Sequence, residues 1–168
     1  MTAIGTVCSL TLNGVLMRCG IHARPRYGGV VAIHRGIPEA FTAFLGSGRS
    51  MLAPLDAFLS GGMTSVCSAM RNGTGEVLGS FLEIPDGLAE SAKHICDRIK
   101  QAGLGVKIIF GPQSEPLLGM PVSIGTSGMV VFRDINIVAA LMESSIQLSG
   151  PAIKILYPFE LLRAPNGH

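Results

Sequence analysis

Two hydrophobic periods alternate along this chain, and the points where one gives way to the other mark out its elements. From Ser9 to Cys19 the apolar residues Leu12, Val15, Leu16 and Cys19 follow the three-to-four spacing of a buried helical stripe. Ser9 stands at the capping position, and Gly20 stands where a helix ends in a left-handed residue. Cys8, Leu10 and Leu12 also alternate with polar residues, so a longer strand running on from Ile4 to Val7 is the rival reading. Pro25 to Tyr27 reads as a loop. Gly28-Gly29 then opens the β-branched run Val30 to His34, and Arg35-Gly36 leads to the alternating Ala40 to Leu45, a pattern that predicts a hairpin.

Beyond the turn Gly46 to Arg49, Ser50 is a candidate cap for a helix with Pro54 in its first turn, Leu55, Phe58 and Leu59 on its inner face, and Gly61-Gly62 as its stop. Met63 to Met70 fits a short helix or a strand. Asn72 to Gly75 is a turn into a strand Glu76 to Ile84, which Pro85 closes. Leu88, Ala92, Ile95, Cys96 and Ile99 then form one stripe of an amphipathic helix, with Asp86 as its cap and Gly103 as its stop. Val106 to Phe110 reads as a buried strand ending at the turn Gly111-Pro112, and Met129 to Phe132 as another strand. Ile135 to Ser145 is a helix, Ile153 to Leu156 a strand, Phe159 to Arg163 a helical turn and Ala164 to His168 a frayed tail. Strands on both sides of helices predict an α/β (α+β) domain with a mixed β-sheet packed by helices. Leu117 to Val122 with Gly128 to Phe132 echoes Leu16 to Ile21 with Gly29 to Ile33 about a hundred residues earlier, which would suit two pseudo-repeated halves.

Composition narrows the class. The 168 residues suit a single domain spanning 1–168. With 48% hydrophobic and only 14% charged residues the chain leans towards association, and we expect a homo-oligomer, in its simplest form a dimer. No apolar run approaches the ~20 residues of a membrane helix. Met1 to Ile4 lacks the parts of a signal peptide, so a cytoplasmic protein is expected. Cys8, Cys19, Cys67 and Cys96 are scattered in apolar contexts, as reduced buried thiols are. A net charge of +2 carries no nucleic-acid footprint, and the one basic cluster is Arg18, His22, Arg24 and Arg26.

Motifs of catalysis are missing: there is no HExxH, Walker lysine loop, GxSxG or paired-carboxylate pattern, and we expect no enzyme and no cofactor. The glycines of Gly73 to Gly79 lead into a strand, whereas a phosphate loop must lead into a helix. Cys19 and His22 lack further ligands for zinc. Cys8 fits either a packing residue at a strand-to-helix corner or a thiol activated at a helix start. More informative is Arg24 to Gly29. The fork of Arg26 matches a carboxylate, Pro25 stiffens the approach, and Gly28-Gly29 would let backbone N–H groups come close to an anion. Gly61 to Ser65 offers backbone donors with the hydroxyls of Thr64 and Ser65. Each segment alone also fits an ordinary turn or helix stop. Together they predict a small-anion pocket of Arg26, Tyr27, Gly28, Gly29, Thr64 and Ser65, with Cys8 counted beside them, provided that Gly61 to Ser65 folds back to face the basic segment.

The stretches CSLTLNGVLMRCGI at Cys8 to Ile21, PRYGG at Pro25 to Gly29, GGMTSV at Gly61 to Val66 and GTGEVLGSFLEIP at Gly73 to Pro85 resemble the regulatory domain of the NrpR family, nitrogen-regulatory repressors of methanogenic archaea. The resemblance runs from about Gly5 to Leu162. It implies a non-enzymatic domain that senses 2-oxoglutarate and reaches DNA only through a separate winged-helix domain, which is not readable in this chain. It also implies that this chain corresponds to the larger, C-terminal part of the family domain. Two segments depart from the family pattern. Gly48 to Asp56 stands where the family tends to have a GTTLDPLE-like run, and Arg133 to Glu143 where it has GGLNPIAALEE. The expectation is therefore an effector-sensing domain in which Arg26 grips one carboxylate and Thr64 and Ser65 bond the other. Its alternative is a structural dimerisation module that has lost the pocket.

Overall fold

The computed structural model describes residues 9–48, 53–103, 107–132 and 134–146. The element order is α1 (Ser9–Arg18), β1 (Arg24–His34), β2 (Ile37–Gly46), α2 (Ala53–Ser60), α3 (Val66–Asn72), β3 (Gly75–Pro85), α4 (Ala89–Gln101), β4 (Ile108–Gln113), β5 (Thr126–Phe132) and α5 (Ile135–Glu143). The strands form one sheet in the order β2-β1-β3-β5-β4, an α+β fold. The readings that fall on Ile4 to Cys8, Ser50, Val106 and Ile153 to His168 lie outside the described residues.

Every ladder in this sheet is antiparallel, where a mixed sheet was expected. The cause is the place of β5. β3, α4 and β4 make a crossover whose two strands run the same way, but β5 returns into the gap between them and is antiparallel to both. A split crossover of this kind leaves no parallel neighbours. The echo between chain halves extends only to the strands. Gly29 to Ile33 and Gly128 to Phe132 both lie in strands flanking β3, while Leu16 to Ile21 ends a helix and Leu117 to Val122 forms a loop.

Alternation along β3 sorts the core into two layers. Leu82 and Ile84 face α1 and α4 with Leu12, Leu16, Ile21, Ala92 and Cys96, and Leu78 meets Val30, Leu55 and Phe58 of β1 and α2. Phe81 points the other way, to Val31, Ile33, Val130 and Phe132, and there the cover is the loop that joins β4 to β5, through Leu117 and Met120. α1 closes as its sequence predicts. Gly20 has φ +78, its N–H donates to Met17, and the Ile21 N–H donates back to Leu16. The residues that make this terminal bond are both buried, the hydrophobic contact that accompanies such caps.

Three local expectations are corrected. Pro25 to Tyr27 is no loop: it lies inside β1, where the ladder to β3 breaks register between Pro25 and Tyr27, so Arg26 is the extra residue of a bulge and the missing donor of Pro25 is tolerated beside it. Gly111-Pro112 lies within β4, an edge strand with its own register break, rather than ending it, and β4 is half-buried rather than buried. Asp86 does not cap α4. A short 3₁₀ turn, Asp86 to Leu88, precedes the helix, and the Asp86 carboxylate accepts from the hydroxyl of Ser127 at 2.8 Å. Met63 to Met70 resolves into a helix from Val66.

Candidate functional site

β3 has a carboxylate anchored near each end, and the predicted site residues divide between them. At the Pro85 end, the bulge turns Arg26 towards Glu83, with Nη1 3.5 Å from Oε2. The guanidinium also lies over the Tyr27 ring, 5.9 Å from its centroid. Glu83 is 3% exposed, and it accepts the Ser123 N–H at 2.9 Å and the Ser123 hydroxyl at 3.0 and 3.1 Å. It thereby ties the β4–β5 loop, the cover of one core layer, to the central strand. Tyr27 meets Phe44 edge-on at 5.4 Å and packs against Phe81.

Gly28 and Gly29 serve packing here. A Cβ on Gly29 would stand 2.2 Å from the Ala43 carbonyl oxygen, and one on Gly28 would stand 3.1 Å from the Pro54 Cβ. Both belong to an interior strand paired on either side, so their peptide groups belong to the ladder.

At the other end, Gly62 (φ +64) terminates α2, and the chain turns through Thr64 and Ser65 into α3. Ser65 is fastened to the start of β3. Its N–H donates to the Glu76 carbonyl at 2.9 Å, and its hydroxyl accepts the Glu76 N–H at 2.8 Å. That hydroxyl is therefore spent on the sheet, and α3 has no cap from its own flanking residue.

The orphan donors of α3 go instead to Glu143, from α5. The Val66 N–H donates to Oε1 and the Cys67 N–H to Oε2, both at 2.8 Å, and the Thr64 hydroxyl donates to Oε1 at 2.9 Å. Partial desolvation pushes the Glu143 carboxyl up, but the Cys67 and Val66 N–H groups and the Thr64 hydroxyl outweigh it and hold its pKa below the ordinary 4.5. The Cys67 thiol donates to the Ala140 carbonyl at 3.4 Å. Asn136, at the other end of α5, exchanges two bonds with Leu78, accepting its N–H at 2.7 Å and donating to its carbonyl at 2.8 Å.

The structure does not bring the two halves of the expected pocket together. Ser65 stands beside Glu76 and Arg26 beside Glu83, opposite ends of one strand and about 23 Å apart at the usual rise per residue. Cys8 lies outside the described residues. Of the other cysteines, Cys19 is exposed and Cys67 half-buried, against the expectation of buried thiols. Cys96 is buried, and burial together with the neighbouring Asp97 charge raises its thiol to about 11.

Sequence reasoning passed over Glu83, Ser123, Asn136 and Glu143. Glu83 had a signal, a lone charge within the otherwise apolar Phe81 to Ile84. Glu143 had one as well: an acid at the C-terminus of a helix opposes its own dipole and calls for a partner elsewhere.

The model of the NrpR regulatory domains NRD1 and 2 matches residues 1–164. The chain belongs to this family. It is 30% identical, over 95% of its length, to the global nitrogen regulator NrpRI of Methanosarcina mazei, and covers 50% of that protein. It is 31% identical over 77% of its length to the global nitrogen regulator NrpR of Methanococcus maripaludis, of which it covers 23%. It therefore spans half or less of these relatives. A nitrogen repressor-like protein from Methanococcus jannaschii shares the fold, with a TM-score of 0.69 at 24% identity over 87% of this chain and 60% of the other. NrpR regulatory domains are parts of transcriptional regulators and not enzymes. Among the described residues no helix is long and apolar enough to cross a membrane.

Proposed function

We propose that this chain is the effector-sensing domain of a nitrogen-responsive repressor, that it binds 2-oxoglutarate or a similar dicarboxylate, and that it acts on DNA through a separate winged-helix domain in the cytoplasm. The observation that carries the reading is the cradle at Thr64, Val66 and Cys67, where a hydroxyl and two N–H groups already hold a carboxylate in charge-assisted bonds. A carboxylate from an effector would find the same donors by taking the place of Glu143. Ser65 supports the cradle by fixing the turn to β3.

A small dicarboxylate does not span the distance to Arg26. Arg26 and Tyr27 are therefore a second, separate candidate contact, in which an effector would compete with Glu83, while Gly29 lets β2 and Gly28 lets α2 pack closely against the same strand. Cys8 remains a candidate on sequence grounds. Coupling to DNA requires that the effector prefer one arrangement of the domain, since equal affinity for two states shifts neither.

Titration calorimetry with 2-oxoglutarate tests the reading. We expect saturable heat, weakened in Thr64→Val if the cradle is the site and in Arg26→Ala if the basic end is. Absence of heat at millimolar ligand, or affinity unchanged in both variants, would sink it. The alternative, a dimerisation module that has lost effector binding, is favoured by the exposed apolar side chains Phe44, Leu45, Val138 and Met142. It predicts a dimer at micromolar protein that does not respond to ligand.

A further inference from the structure

α5 is held to the domain in an unusual way. Ala139 is its buried residue, while Ile137, Val138 and Met142 face outward at 36 to 46% exposure. α4 differs: it buries Ala89, Ala92 and Cys96 and packs Ile95 and Ile99 onto the same cluster. The N-terminal end of α5 is fastened by Ile135, which packs against Val30, Leu55, Phe58 and Leu78, and by Asn136 on Leu78, whereas its C-terminal end is fastened by the polar contact of Glu143 with the start of α3.

These two fastenings are not equivalent. Asn136 bonds both the N–H and the carbonyl of Leu78, the β3 residue just past the last described β5 pair, Gly79 with Phe132, and so extends the bonding of that strand edge. Glu143 joins two helices, and its charge is favourable in the docked state alone. At the C-terminus of its own helix the carboxylate meets the negative end of the dipole, and docked it meets the N–H groups of α3.

We propose that α5 is a releasable arm and that the Glu143 carboxylate, seated on Thr64, Val66 and Cys67, is the catch that sets whether its C-terminal half is docked on α3 or free. A nine-residue helix is too short to hold its shape alone, so a freed arm frays from Glu143 backwards towards the Asn136 clamp. Release uncovers the start of α3 and breaks the bond from the Cys67 thiol to the Ala140 carbonyl. The arm is thus a two-state element, of the order-to-disorder kind by which regulatory domains pass a local event onward. The proposal stands whether or not 2-oxoglutarate is the effector, because it rests on contacts within the chain.

The test compares the unaltered chain with Glu143→Ala, Glu143→Gln and, as a control on the outward face, Met142→Ala. Two readouts are followed at neutral pH without ligand: hydrogen exchange of the 138–146 amides, and iodoacetamide labelling of Cys67 followed on its own peptide. We expect exchange in that segment and labelling of Cys67 to rise about tenfold in Glu143→Ala, the size of effect that losing one charged hydrogen-bonded anchor gives. Glu143→Gln should lie between, Met142→Ala should match the unaltered chain, and β3 and β5 should keep their protection in all three. Unchanged exchange and labelling in Glu143→Ala would overturn the proposal. So would a loss of protection that spreads through β3 and β5, because Glu143 would then hold the whole fold and not an arm.

Discussion

Glu83 is held by a hydroxyl and one backbone N–H, Glu143 by a hydroxyl and two, each near one end of the same strand, yet they do opposite work. Glu83 is buried, shares Arg26, and joins the central strand to the loop that covers one core layer. Its surroundings have nowhere to go without opening that layer. Glu143 is exposed and joins two short helices, one of which leaves Ile137, Val138 and Met142 exposed. The same chemistry therefore makes a structural tie where burial is deep and a catch where it is shallow. Similar bonds differ in consequence because an unmatched buried group costs its full desolvation penalty, while an exposed one is matched by water.

That contrast breaks most readily at Glu83. Glu83→Ala leaves the Ser123 N–H and part of Arg26 unmatched, and we expect a loss of about 3 kcal/mol in urea denaturation. A loss below about 1 kcal/mol would place both carboxylates in the same class. Next in size is Asn136→Ala, which strips Leu78 of both amide bonds in a half-buried setting. About 1 to 2 kcal/mol is expected from the same measurement, with increased exchange at the Leu78 amide. The smallest effect is acidification at Glu143. Its folded pKa lies below the ordinary value, so its contribution is complete above about pH 4.5 and disappears as pH falls through the folded pKa. Amide shifts of Val66 and Cys67 should be flat from pH 6 to 8 and move only in that acid window. A transition near neutrality would mean that the carboxylate is not seated as described.

How much of this was legible in the sequence follows from which forces are local. The stripe of α4, the glycine stop of α1, the hairpin of β1 and β2 and the cut at Pro85 rest on periodicity and backbone freedom within a few residues, and these emerged as read. The antiparallel sheet did not, because it depends on β5 returning between β3 and β4, a long-range choice that no local pattern encodes. The basic segment reads as a loop for a related reason: Pro25 and paired glycines signal a turn locally, but a bulge accommodates Pro25, and the close approach of α2 and β2 requires Gly28 and Gly29.

At the candidate site, the sequence pointed to the segment before α3 but not to the carboxylate that meets it. The Thr64 hydroxyl meets the carboxylate of Glu143, 79 residues further on, and the backbone donors beside it are those of Val66 and Cys67, beyond the Gly61 to Ser65 segment. Arg26 likewise faces Glu83. The segment Arg133 to Glu143 was singled out for what it lacks relative to the family pattern, and it contains both polar side chains that pin α5.

The measurement that tests the account most directly is hydrogen exchange of the unaltered chain with and without saturating 2-oxoglutarate. If the effector takes the place of Glu143, exchange rises in the 138–146 segment while the amides of Val66 and Cys67 stay protected by the new carboxylate, and Ser123 and the β4–β5 loop do not change. Ligand-dependent change confined to Ser123 and that loop, with α5 unaffected, would move the site to Arg26 and contradict the account.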